Sequence, residues 1–413
     1  PPRKVPVLPG RWRWRTVPAT TVPCVNNDMV SPAASSAIPR QSSTAAQSSA
    51  APTLSAAAPR RRTALAALST AAVLAVGACS GATGASGGDF SVQDLFAELP
   101  MVEDGGLIAA GDLEAATAAA GLDRPADAGA DGANEWLLGL TRQPDTGVFV
   151  PVPGDFLNSF GQPGGDELGW DLSDVHTFAH HEGPPSRTVL VTGEFDADTL
   201  AADLHDAGEG VYSAGSGQDF EVDLAGRTAL RPTGAALRLA QDGNRIMVSA
   251  QEQVVRDWVQ GEQGSTLADH EAVMDLAAAL DDRGVYSAAL SVQAAPLQGL
   301  TPEHMAVLEQ WAVQEPFTTV GVGWAMDSEE PVVRAAYHFG TAEAAERGAD
   351  QVQRLWQEGT SADGRPLTDR FALQQVDTDG AVVIADLHLA GGGAAPHPFH
   401  MLMTQDTPFG YLP

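Results

Sequence analysis

Residues 235–250 read AALRLAQDGNRIMVSA, two apolar-rich arms either side of Asp242-Gly243-Asn244. Such a turn between such arms signals a β-hairpin, because glycine takes the positive φ of a tight turn at no steric cost. A hairpin means antiparallel strands. Outward from it, strand and helix patterns alternate in both directions. Upstream, RTVLVTGEF (187–195) predicts a strand and DADTLAADLHDAG (196–208) a helix capped by Asp196 or Asp198. VYSAG (211–215) and FEVDLA (220–225) predict short strands. Downstream, QEQVVRDWVQG (251–261) and HEAVMDLAAALDD (270–282) predict helices.

The order repeats loosely in the second half. VYSAALSVQ (285–293) reads as a strand and PEHMAVLEQWAV (302–313) as a helix. FTTVGVGWAMD (317–327) and PVVRAAYHFG (331–340) pair as a hairpin. TAEAAERGADQVQRLWQEG (341–359) is a long helix, and FALQQV-DTDG-AVVIADLHL (371–389) a last hairpin turning at Asp377-Thr378-Asp379-Gly380. Helices interspersed with hairpins predict an α+β fold with antiparallel sheets covered by helices on one face. The expected architecture is two ferredoxin-like βαββα units, residues 148–283 and 284–413, the second carrying a C-terminal tail. Before them, residues 90–147 predict a broken helical segment. Its pieces are FSVQDLFAELP, then GDLEAATAAAGL with Asp112 as N-cap, then NEWLLGL, with a loop over 123–134.

A different pattern occupies residues 60–81, RRRTALAALSTAAVLAVGACSG. Three arginines precede a small, uncharged, apolar run that is too short for a bilayer span of about 20 residues. No polar face divides it, so it does not read as a core helix. A positive end, a short apolar run and small residues before a cut make a secretory signal over residues 60–78. Val76-Gly77-Ala78-Cys79 resembles the lipobox of bacterial lipoproteins. The resemblance implies cleavage between Ala78 and Cys79 and a diacylglycerol on the Cys79 sulfur, with a further acyl chain (palmitate or similar) on the new amino terminus. The lipid bilayer is then a partner, and the protein sits on the outer, extracytoplasmic face of the cytoplasmic membrane. Residues 79–89 become the lipidated cysteine and a flexible Gly/Ser/Ala tether. The signal together with the strand–helix order of 187–290 also resembles uncharacterised lipoproteins of actinobacteria, a group that implies no known activity.

Residues 1–59 show no folding pattern and are expected to be disordered. Residues 1–28 are basic and proline-rich and read as an over-extended translation start; the RWRWR run at 11–15 leaves a nucleic-acid-binding tail as the other reading. Arg61-Arg62 partly resembles a twin-arginine export signal, though Ala64 stands where a large apolar residue is usual. Both export routes stay open.

Charge must be split at Cys79. The full chain carries 23 basic and 53 acidic residues. Removing the nine basic and one acidic residue of 1–78 leaves 14 against 52, a net charge of −38, with no lysine. Such a field repels nucleic acid and anionic lipid. Cys24 and Cys79 are the only cysteines, so the mature chain has no internal disulfide and no free thiol for catalysis.

Candidate chemistry is sparse. His176, His180, His181 and Glu182 cluster in VHTFAHHEG, and His176 and His180 would share a helix face at the spacing zinc sites use. Gly183-Pro184-Pro185 follows, which favours a hairpin arm with His176, Phe178 and His180 alternating to one side. His397 and His400 form a second pair, in a tail expected to pack Phe399, Met401 and Met403 against the body. Gly391-Gly392-Gly393 lacks the Lys-Ser/Thr of a phosphate loop. No Gly-x-Ser-x-Gly elbow occurs. The leading expectation is a non-enzymatic, membrane-anchored lipoprotein, without cofactor, that binds a cell-envelope protein or small ligand. A metal-dependent hydrolase using His176, His180, His397 and His400 is the second reading. The hairpins argue against a transporter's solute-binding protein, which wants parallel sheets.

Overall fold

The computed structural model describes residues 90–413 apart from 102–105, 128, 143–145, 155–167, 183–186, 201–203, 216, 220, 227–230, 232–233, 295–300 and 412–413. The chain divides into two units, Pro1–Ala78 and Cys79–Pro413. The first lies wholly outside the described residues. The expected signal, the lipidated Cys79 and the tether also lie outside them.

Among the described residues twelve strands form one antiparallel sheet. They are β1 (Leu107–Asp112), β2 (Val175–Glu182), β3 (Thr188–Gly193), β4 (His205–Gly208), β5 (Val211–Ala214) and β6 (Leu237–Asp242). After these come β7 (Arg245–Ser249), β8 (Ser287–Ser291), β9 (Thr319–Asp327), β10 (Glu330–His338), β11 (Phe371–Asp379) and β12 (Val382–Leu389). Across the sheet the order is β11-β12-β10-β9-β8-β1-β2-β3-β7-β6-β5-β4. The helices are α1 (Val92–Ala97), α2 (Leu113–Ala120), α3 (Ala133–Thr141) and α4 (Glu252–Gln260). They continue with α5 (Glu271–Asp281), α6 (Pro302–Leu308), α7 (Ala342–Glu358) and α8 (His397–Met403).

The α+β class and the hairpins at 242–245 and 379–382 are as expected, with Gly243 and Gly380 at φ of 62° and 52°. Two ferredoxin-like units are not confirmed. A βαββ unit of that kind slots its third strand between the first two. Here β9 pairs with both β8 and β10, so the strands lie in chain order. Helices also cover both faces of the sheet rather than one. Successive residues of a strand point to opposite faces, and on β12 Val382 and Ile384 join one core while Val383, Ala385 and Leu387 join the other. The first core is closed by α1, α4 and α5 through Val92, Phe96, Val255, Trp258, Val273 and Leu276. The second is closed by α2, α3, α7 and α8, with Leu113, Trp136, Trp356 and Leu402 buried in it. Each fully buried large aliphatic side chain contributes about 1.5–3 kcal/mol, so both layers are needed to hold so wide a sheet.

The segment expected to be only helical supplies the central strand. Leu107–Asp112 pairs with β2 on one side and β8 on the other, which joins the two halves into one sheet. Asp112 then caps α2 as expected, its carboxylate accepting the Ala115 N–H at 2.8 Å. Two further expectations fail locally. His205–Gly208, placed in a helix by the sequence, is the edge strand β4. Among the described residues of FEVDLA there is one bridge, Val222 to Ala235, before Leu224–Gly226 turn as a short 3-10 helix.

Two helices set the surroundings of the polar groups. On α7 the buried residues Ala344, Ala345, Gly348, Val352, Leu355 and Trp356 recur at helical spacing, and the Thr341 side chain accepts the Ala344 N–H. On the other face α5 reaches β9 closely because Gly323 has no side chain; a Cβ there would lie 2.9 Å from Leu280 Cδ2 of α5. Asp281, at the end of α5, accepts from Ser91 Oγ (2.9 Å) and from the N–H groups of Val92 (2.7 Å) and Gln93 (3.0 Å). That carboxylate fastens α1 to the body. Burial raises its pKa against the pull of these donors.

Candidate functional site

Of the four histidines proposed as metal ligands, His176, His180 and His397 each have a neighbour of their own and His400 is exposed. Around His176 the β2–β3 register shifts between Val175 and Thr177, so His176 sits in a bulge rather than in line with Phe178. It is half-exposed, its Nε2 3.9 Å from Glu194 Oε1. His180 is buried, and its Nε2 lies 2.9 Å from the Pro151 carbonyl. A carbonyl only accepts, so Nε2 carries the proton there. His181 is buried as well. Phe178 and His180 share one face of the strand, with ring centroids 6.0 Å apart.

The tail histidines open α8, which the sequence did not predict as a helix. Pro398 stands at the start of the helix, where its missing N–H costs nothing. His397 Nδ1 accepts the Ala394 N–H at 3.1 Å. Burial first, then Arg370 and His400, lower its pKa. His400, one turn on, is exposed. Met401 is buried and Phe399 packs against the core as expected, but Met403 is 50% exposed and Leu402 takes its place inside. Among the described residues no group of three or more His, Cys, Asp or Glu could hold a metal ion.

The structure assembles polar groups elsewhere, beside α5 on β10. Arg334 and His338 are both buried on this face, spaced four residues apart so that they point the same way. Sequence reading passed over them as single polar letters in an apolar strand. Thr318 Oγ1 lies 2.9 Å from His338 Nδ1 and 3.1 Å from the His338 carbonyl, and Asp275 Oδ2 lies 3.3 Å from Nε2. Hydroxyl, imidazole and carboxylate thus stand in the order of a hydrolase triad. The Gly340 N–H also donates to Nδ1, at 3.2 Å. That bond places the ring proton on Nε2, toward Asp275, and occupies the lone pair a general base would use. The trio ties α5 to the end of β10; it is not poised as a base.

Toward the other end of the strand, Arg334 Nη2 donates to Asp327 Oδ1 and Oδ2 at 3.0 and 3.1 Å. Its Nε lies 3.4 Å from Asp386 Oδ1. Asp386 also accepts from Arg283 Nη1 (2.9 Å) and Gln375 Nε2 (2.8 Å), and Arg283 Nη2 reaches Asp377 at 2.6 Å. Burial alone would lower the pKa of Arg283, but the Asp377 bond and the Asp386 charge outweigh it and the net shift is upward. This network pins the loop after α5 to β10, β11 and β12.

Next to that network the sheet ends. Among the described residues β11 is its last strand and pairs only with β12. The ladder is shifted between Leu373 and Gln375, then regular from Gln375↔Asp386 to Asp379↔Val382. Phe371 is buried and Val376 half-buried, while Gln375, Asp377, Thr378 and Asp379 are exposed. The opposite edge, β4, is only four residues long. No helix of the described residues is long and apolar enough to cross a membrane.

No known protein family matches the chain. No curated protein matches it either. Among solved structures it is similar to one titled crystal form I of TP0453, at 6% identity over 75% of this chain and 97% of that one. The TM-score is 0.33, too low for the likeness to bear on fold or function.

Proposed function

We propose that the chain is a lipid-anchored protein of the cell envelope, exposed on the outer face of the cytoplasmic membrane, whose folded body binds a partner and performs no catalysis. The observation that carries the reading is the run from Arg60 to Cys79, an arginine-flanked apolar stretch closing on Val76-Gly77-Ala78-Cys79. Two acyl chains, at about 0.8 kcal/mol per buried CH₂, hold a protein on a membrane where one chain is marginal. The fastening of α1 supports it: the first described helix after the tether is held by Asp281 and by burial of Val92 and Phe96, so load on a tether meets a fixed point. Support for a non-catalytic body comes from the histidines. His180, His338 and His397 each have a ring nitrogen engaged by the main chain.

The anchoring test is Cys79→Ala in the full chain. Wild type should take up labelled fatty acid and partition into the detergent phase, and the variant should do neither. Unchanged lipid labelling of Cys79→Ala would sink the assignment.

A further inference from the structure

We propose that the outer rim of β11 is a docking edge for an extended, cationic polypeptide segment, one that alternates basic and apolar residues. The inference rests on the reading of the body as a partner-binding unit and names the class of partner. A terminal strand carries an unpaired row of N–H and C=O groups, which proteins blunt by keeping the strand short or charging it. The β4 edge is blunted by its length of four residues, whereas β11 runs for nine. Its regular stretch, Gln375–Asp379, alternates Gln375, Asp377 and Asp379 on one face with Val376 and Thr378 on the other.

A strand added beside it would place every second side chain against Gln375, Asp377 and Asp379. Gln375 bonds Asp386 and Asp377 bonds Arg283, so Asp379, exposed and outside that network, is where opposite charge is most favoured and like charge is not. The alternate positions would lie beside half-buried Val376. A second copy of this chain does not fit. Self-pairing would bring the same carboxylates together, in molecules that each carry −38 after cleavage. The acidic rim is therefore selective: it repels the chain's own edge and attracts a basic one. Main-chain pairing would supply affinity and the alternating face specificity.

The probe is a capped peptide of alternating Lys and Val, compared with the same peptide N-methylated at alternate backbone positions. Both carry equal charge, but only the first can complete a ladder. Binding to the full-length protein in detergent is measured at an ionic strength that screens contacts beyond about 8 Å. The unmethylated peptide should bind at least about tenfold more tightly, the loss expected for several main-chain hydrogen bonds. Amides between Phe371 and Asp379 should gain protection from hydrogen exchange, and Asp379→Lys should weaken binding without lowering the melting midpoint. Equal affinity of the two peptides would show mere charge attraction and overturn the proposal, as would protection elsewhere or no binding. Intact mass of the same sample reports acylation of Cys79 independently. A missing acyl group would overturn the anchoring and leave the edge result standing.

Discussion

His397 shows how a residue chosen for chemistry serves structure. Its Nδ1 is taken by the Ala394 N–H, and burial, Arg370 and His400 hold its pKa below the ordinary value of 6.5. The folded state therefore binds a proton less readily than the unfolded chain does. Its contribution to stability is present above pH 6.5 and fades as pH falls through the depressed value. His397→Asn keeps an acceptor for the amide but cannot titrate. Unfolding titrations should show a shallower fall in stability just below pH 6.5 for the variant; identical slopes would remove His397 from the acid response. Residue types alone could not separate such a histidine from a ligand, since His-x-x-His is the same string in both cases. His338 was missed for the opposite reason. Its partners Asp275 and Thr318 are distant in sequence, and only the fold brings them to its two nitrogens.

Elements with strong periodicity were legible: the hairpins at 242–245 and 379–382, and the long α7 with apolar residues three and four apart. β1 was not. LIAAGD is short and alanine-rich, without the β-branched run that marks a strand, and its strand character comes from partners on both sides. Pairing order was illegible for a related reason, because a strand's sequence does not say which neighbour it takes. Strand β10 carries a prediction at this scale. Arg334 and Asp386 are buried with side-chain exposures of 5% and 9%. Arg334→Ala takes one of two cations from buried Asp386, which keeps Arg283 at 2.9 Å, and should cost about 1–3 kcal/mol. Replacing Arg334 and Asp386 together by leucine should recover most of that loss, since Arg283 keeps Asp377. Denaturant midpoints of the single and double variants check it, and an equally unstable double variant would refute the account.

Over the whole molecule, acid dominates, and its self-repulsion should be relieved by any salt in proportion to ionic strength. Added NaCl should raise the melting midpoint, and micromolar Ca²⁺ or Zn²⁺ at constant ionic strength should add nothing. A specific ion would instead stabilise saturably, by about 2.7 kcal/mol at a hundredfold excess over its dissociation constant. A saturable rise with either metal would revive the hydrolase reading through the histidines. The position of β1 has a separate outcome for biogenesis. Leu107–Asp112 is made early, yet Leu107 must wait for Ser291 before its second rim is closed. A chain that crosses the membrane amino-terminus first would deliver β1, β2 and β3 while the partner β8 is still on the inner side. Until β8 arrives the half-built sheet presents a raw edge at its eventual centre, the condition that invites aggregation and calls for chaperones. A product truncated after β7 should accordingly be a sticky fragment rather than a folded half, and the two halves share one birth.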